Sequence, residues 1–193
     1  MPDTPHLYGV KVRLRPIDEA DADAMFASLH DPLLQKLTGT EQTFSLQQVR
    51  DYCRCVAQAR DRWDFMIESS AHPNQLLGEA SLNEYDADEQ SANFRIALYE
   101  SGQFGQGLGG EASLLLIQFG FTQLGLKRIS LDVLAFNQRA RRLYTKLGFK
   151  QRVTASLRPD DGKDWVEMDL LAEDFFAQGA RHSDLPLWRS VLV

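Results

Sequence analysis

The stretch F-G-Q-G-L-G-G-E-A, from Phe104 to Ala112, is the strongest constraint on what this chain folds into. Gly105, Gly107, Gly109 and Gly110 crowd into six residues. Glycine reaches positive φ and lets the backbone approach a ligand closely, so this stretch reads as a turn. Before it, Ala92/Phe94/Ile96/Leu98 alternate with Asn93/Arg95/Ala97/Tyr99, the period of a strand. After it, residues 111–124 are largely apolar and read as a helix that Gly125 caps. A helix opening behind such a turn leaves backbone N–H groups unpaired, and with its dipole it offers a seat for a pyrophosphate. The same turn also suits a helix entry packed tightly against a sheet.

Spacing alone leaves more than one cofactor open. Gly105, Gly107 and Gly110 match G-x-G-x-x-G, and Asp132 follows about twenty residues on, as in a dinucleotide fingerprint. That fold needs further strand–helix–strand units after the acidic residue, yet only 61 residues follow Asp132. No Lys-Ser/Thr pair follows the glycines, which argues against a phosphate-loop ATPase.

The rest of the chain has a readable order. Residues 10–15 alternate as a strand, and Asp18 caps a helix that begins near Glu19. Asp31-Pro32 interrupts it. Ser45 and Gln48 have capping-box spacing, and Val49, Tyr52, Cys53 and Val56 then recur at helical period. Residues 63–67, 76–83 and 91–99 form an antiparallel meander. Residues 128–134 are a strand, 137–147 a basic helix ending at Gly148, and 149–155 and 164–171 two more strands. Between these last two, Pro159-Asp160-Asp161-Gly162 makes a turn. The expectation is one α/β domain over 1–193 with a mixed sheet, its core at about 10–171. An apolar tail at 180–193 packs back on the domain or contacts a second copy, which makes a homodimer an expectation.

Composition narrows the class. Acidic residues outnumber basic ones by 27 to 21, a balance that argues against direct nucleic-acid binding. No run of eighteen apolar residues occurs, so no membrane span is expected. Cys53 and Cys55 point in different directions on one helix and read as reduced cysteines of a cytoplasmic protein. His30 and His72 stand alone, and no metal-ligand spacing appears.

A second motif narrows the cofactor. From Asn137 the chain reads N-Q-R-A-R-R-L-Y-T-K-L-G-F. This segment resembles "N-x-x-A-x-x-L-Y-E-K-x-G-F" of the GNAT superfamily of acyl-CoA-dependent N-acyltransferases. The likeness is to the subgroup of ribosomal-protein N-terminal acetyltransferases and related spermidine and antibiotic acetyltransferases. There the glycine turn resembles "W-G-K-G-Y-G-T-E-A", and L-R-P-I-D-E-A-D at Leu14 resembles the usual opening. The resemblance implies acetyl-CoA as cofactor, with the pantetheine arm between strands 93–98 and 128–134. Backbone groups of Ile96, Ala97 and Leu98 would pair with that arm. The N–H groups of Phe104, Gly105, Gln106, Gly107, Leu108, Gly109 and Gly110 would receive the pyrophosphate. Asn137 stands where the family commonly has an Asn on the pantetheine side. Tyr144 stands where it commonly has the tyrosine that protonates the departing thiolate. One departure is Phe104, at a position where the superfamily pattern has Gln or Arg.

The implied reaction moves an acetyl group from the thioester to a primary amine by direct attack in a ternary complex. The acceptor is a protein N-terminus, a polyamine or a small-molecule amine. An amine is mostly ammonium at neutral pH, so a base must take its proton. Glu79, on a strand near the cleft, and Glu84, at that strand's end, are the candidates. Arg139 and Arg142, three apart on the basic helix, suit the 3′-phosphate or adenine end of CoA. Asp and Glu residues at 86–89 would attract a cationic amine or face water. The rival reading is a non-catalytic acyl-CoA-binding or interaction module of the same fold.

Overall fold

The computed structural model describes residues 4–153 and 161–178. Its strands are β1 (Leu7–Tyr8), β2 (Val12–Pro16), β3 (Trp63–Ser69), β4 (Leu76–Asp86), β5 (Ser91–Leu98), β6 (Arg128–Leu134), β7 (Lys150–Gln151) and β8 (Trp165–Leu171). They form one sheet in the order β1-β2-β3-β4-β5-β6-β8-β7. Every neighbouring pair is antiparallel except β5 and β6, which run parallel. A parallel pair needs a crossover, and the helix α4 (Leu108–Thr122) supplies it. Among the described residues the sheet is therefore mixed, with a single parallel neighbouring pair; the later segment of β6, the helix at 138–147 and β7 ends in a two-residue edge strand that pairs antiparallel with β8 and adds no further parallel pair of neighbours. The dinucleotide reading of the glycines fails on that topology.

The two faces of the sheet are covered differently. Helix α4 is apolar nearly all round and lies in the main core against Leu14, Phe65, Leu82, Phe94 and Ile129. The opposite face carries α1 (Ala22–Ser28) and α3 (Leu46–Gln58). There Ala22, Met25, Val49, Cys53, Val56 and Met66 form a second, smaller core. The capping box at the start of α3 is formed: the Ser45 side chain accepts from the Gln48 N–H, and the Gln48 side chain accepts from the Ser45 N–H. Cys53 is buried and Cys55 exposed.

Several boundaries differ from expectation for identifiable reasons. The helix near Glu19 opens as a 3-10 turn, Glu19–Asp21, before α1 begins. Asp31-Pro32 does more than interrupt. Asp31 Oδ1 accepts from Leu33 N (2.7 Å) and Leu34 N (3.1 Å), and Pro32 takes the first position of a further helix, α2 (Pro32–Thr38). Helix α4 starts three residues earlier than expected, because Gly107 caps it at φ 83°. Helix α5 (Gln138–Leu147) runs from its cap at Asn137 to Gly148 at φ 103°. Strand β7 keeps only two residues of the expected 149–155, and residues 154–155 lie outside the described range. A short helix, α6 (Ala172–Ala177), follows β8. The expected turn is described only at Asp161 and Gly162, and the apolar tail at 180–193 lies outside the described residues.

Candidate functional site

Strands β5 and β6 pair only at Ser91↔Arg128, Ala92↔Ile129 and Asn93↔Ser130. Beyond that point β5 runs on to Leu98 and β6 to Leu134 with no register between them. Each is held along its length by its other neighbour, β4 for β5 and β8 for β6. The two halves of the sheet keep their own partners and part in a wedge. The edge of β5 that faces the wedge, at Ile96, Ala97 and Leu98, has backbone groups that need partners. A ligand carrying amides along its length meets that need. Gly78 lies beside this edge on β4, and a Cβ there would sit 2.9 Å from Leu98 Cα and closer still to the Ala97 carbonyl oxygen.

The glycine turn lies at the open end of the wedge. Gly105 and Gly107 have φ of 77° and 83°. A Cβ at Gly102 or Gly105 would meet nothing within 4 Å, so the turn keeps an open side. Leu108, Gly109 and Gly110 form the first turn of α4, where N–H groups have no partner inside the helix. The carbonyl Oε1 of Gln103, a residue only 7% exposed, has no hydrogen-bond partner. Free N–H groups, open space at glycines and an unsatisfied buried amide together fit a phosphorylated, amide-bearing molecule such as CoA.

Helix α5 comes to the wedge from the other side. The Asn137 side chain accepts from Ala140 N (3.2 Å), so its carbonyl oxygen is engaged in capping the helix. The Arg139 guanidinium lies 3.4 Å from the centre of the Phe104 ring, which joins α5 to the glycine turn. Arg142 is exposed. Tyr144 is 8% exposed and packs edge-on against Phe94 (6.1 Å between centroids) and Phe149 (5.8 Å). Loss of solvent pushes its phenol up to about 12, with the Arg139 charge pulling the other way.

Glu79 occupies the opposite face. It pairs in register with Met66 on β3 and Ala97 on β5, in the row that faces α1 and α3. Its side chain is half-buried, and Tyr99 Oη donates to Oε2 at 2.9 Å. Desolvation raises the Glu79 carboxyl above the ordinary range; the Tyr99 hydrogen bond and the Arg95 charge partly offset it. Residue 94 on one face of β5 thus leads to Tyr144, and residue 97 on the other leads to Glu79. A phenol and a carboxyl group flank the same strand from its two faces.

Glu84 is not brought to this place. It is exposed, at φ 51°, in the irregular step of β4 between Asn83 and Asp86, beside the closed end where β5 and β6 are paired. The acidic turn at 86–89 is occupied with its own structure. Asp86 Oδ1 accepts from Asp88 N and Glu89 N, both at 2.9 Å, and Glu89 lies 3.7 Å from Arg128.

Four residues that lie against the groups of this site are not singled out by sequence reading: Tyr99, Gln103, Gly78 and Lys11. The alternation of β5 did place Tyr99 in phase with Ala97, which is the face of Glu79. Nothing local signals Lys11, whose Nζ reaches the Gln106 carbonyl at 2.8 Å from 95 residues away.

Residues 11–150 match the family model described as acetyltransferase (GNAT) domain. Among curated proteins, the mouse alpha/beta-tubulin-N-acetyltransferase 9 is 27% identical over 155 residues, 75% of this chain and 64% of that protein. The chain therefore spans less than two thirds of the mouse protein's length. A prophage-derived uncharacterized N-acetyltransferase of Bacillus subtilis is 26% identical over 143 residues, 73% of this chain and 77% of its own. The crystal structure of spermidine N-acetyltransferase from Vibrio cholerae, in complex with CoA and spermine, superposes with a TM-score of 0.75 at 20% identity. That match covers 86% of this chain and 98% of the other.

Proposed function

The chain belongs to the GNAT acetyltransferases, and from that premise we propose that it transfers an acetyl group from acetyl-CoA to a primary amine by direct attack in a ternary complex. The observation that carries the reading is the wedge between β5 and β6, with the glycine turn at its open end and Glu79 and Tyr144 on opposite faces of β5. Acetyl-CoA supplies an activated acyl group, whose carbonyl carbon bonds to the amine nitrogen as the carbon–sulfur bond breaks. Ile96, Ala97 and Leu98 hold the pantetheine arm by their backbone groups. The N–H groups from Gly105 to Gly110 hold the pyrophosphate; that of Phe104, expected among them, donates instead to the Ser101 carbonyl at 3.0 Å. Glu79 takes a proton from the amine, and a carboxyl raised by desolvation is a stronger base for that work than an ordinary one. Tyr144, kept neutral by burial, gives a proton to the departing sulfur. Asn137, Arg139 and Arg142 line the α5 side of the cofactor.

The named relatives support an amine acceptor and leave its class broad: a protein N-terminus, a polyamine or a smaller amine. Calorimetric titration with CoA, followed by thiol release across a panel of primary amines, tests the reading. Saturation near one CoA per chain and release with at least one amine are the expected results. Tyr144→Phe should keep CoA affinity within about twofold while turnover drops about tenfold or more. Normal turnover in that variant at every pH removes Tyr144 as proton donor. Binding without release for any amine turns the reading toward a non-catalytic acyl-CoA-binding module.

A further inference from the structure

The glycine turn carries no cation of its own. Residues 101–110 read S-G-Q-F-G-Q-G-L-G-G, with Phe104 where the superfamily pattern places Gln or Arg. A lysine from the other end of the chain lies against it. Lys11, just before β2, donates from Nζ to the Gln106 carbonyl at 2.8 Å. A Cβ built on Gly107 would stand 3.2 Å from the same nitrogen. The ammonium thus occupies the side of the turn where the helix cap has no side chain.

Two features set Lys11 apart from an ordinary surface lysine. Its backbone is fixed to the start of α4, because Glu111 Oε1 accepts from Lys11 N (2.7 Å) and Val12 N (3.2 Å). That contact engages a carboxylate oxygen with backbone N–H groups, and among the described residues no acidic group forms an ion pair with the Lys11 ammonium. An ammonium has three donors, and the Gln106 carbonyl takes one. A cation beside a helix N-terminus is disfavoured by the dipole unless an anion joins them.

We infer that Lys11 is a cofactor-binding residue, supplying from just before β2 a cation that contacts the CoA diphosphate. This rests on the acetyl-CoA reading above. The lysine does for the diphosphate what the aromatic side chain at Phe104 cannot, and the contact with Gln106 holds it ready. A charge-assisted hydrogen bond of this kind is shorter and stronger than a neutral one.

The test is calorimetry with CoA, 3′-dephospho-CoA and pantetheine on the full chain, for the native protein, Lys11→Gln and Lys11→Arg, at low and high KCl. Lys11→Gln should weaken CoA and dephospho-CoA alike, by about tenfold. Its CoA affinity should depend less steeply on KCl. Pantetheine, which lacks phosphate, should bind within twofold of native, and Lys11→Arg should restore most of the loss. Unchanged CoA affinity in Lys11→Gln, where the native protein binds CoA, overturns the inference and leaves the acetyl-CoA reading intact. Equal loss for pantetheine and CoA also overturns it, since Lys11 then only shapes the loop. A native protein that binds no CoA ends both readings. Should Lys11→Gln melt before titration, Lys11→Arg and Lys11→Met carry the same comparison.

Discussion

Two oxygens 2.9 Å apart decide how this site should respond to pH. Glu79 has a carboxyl raised by burial, and Tyr99 Oη donates to it. A raised carboxyl stays protonated further up the pH scale, and a protonated base cannot accept a proton. Activity carried by Glu79 therefore rises as pH climbs through that raised value. The Tyr99 hydrogen bond favours the charged form, so its removal in Tyr99→Phe should raise Glu79 again. The acid limb of kcat/KM should then move to higher pH by about one unit, from a hydrogen bond to a charged group of about 1.5 kcal/mol. Amine ionisation affects both proteins equally, so the difference between their profiles isolates Glu79. Glu79→Gln should lose this limb and most of the turnover. A Tyr99→Phe profile that overlays the native one removes Glu79 as base. The strand reading of 76–83 put Glu79 near the cleft that the family resemblance implies, and the Asn137-to-Phe149 motif singled out Tyr144. Glu84 shows the limit of such reading. Its place in the sequence differs little from that of Glu79, yet the irregular step after Asn83 leaves it beside the paired end of the wedge.

At the scale of elements, the glycines divide by what surrounds them. Gly107 is legible, because glycines clustered before a helix mark a turn that can take positive φ, and Gly107 does so at φ 83° as the cap of α4. Gly78 is not, because its reason lies on the neighbouring strand. A methyl at Gly78 would meet backbone atoms of Ala97 and Leu98, which cannot rotate aside as a side chain can. A methyl at Gly120 in α4 would meet the side-chain tips of Leu82, Ile129 and Leu126 at 3.0–3.2 Å, and those can yield by small shifts. Gly78→Ala should therefore displace β4 or β5, cost about 1–3 kcal/mol of stability and weaken CoA binding, since the displaced edge is Ile96 to Leu98. Gly120→Ala should lower the melting temperature and leave CoA affinity within twofold. Equal CoA affinity in both variants removes the β5 edge from the cofactor site. Asp31-Pro32 is a related case of position. As a dipeptide it reads as a break, and only the hydrogen bonds to Leu33 and Leu34 show that it also starts a helix.

At the scale of the whole molecule, the sheet is two half-sheets joined along a ladder of three residue pairs, with α4 crossing between them. The order of the longer strands and helices was legible because hydrophobic period changes from two to 3.6 along the chain, while the short elements β1, α2 and α6 were not. The wedge was reached through family resemblance, since no pattern within β5 or β6 records how far they pair. A ligand in that wedge touches both half-sheets, and binding to the folded state alone raises stability by mass action. CoA at a hundred times its dissociation constant adds about 2.7 kcal/mol. For a domain of this size that corresponds to a melting-temperature rise of about 5–10 °C. A rise of that kind follows from binding anywhere, so location needs a second measurement. In free protein, peptides covering residues 94–98 should exchange amide hydrogens faster than those covering 64–68 in β3, whose residues from Phe65 on are paired on both sides. CoA should slow exchange at 94–98 and 104–110 and leave 64–68 unchanged. If CoA raises the melting temperature while exchange at 94–98 stays as fast as before, the cofactor sits outside the wedge, and Glu79 and Tyr144 lose the shared ligand that makes them partners.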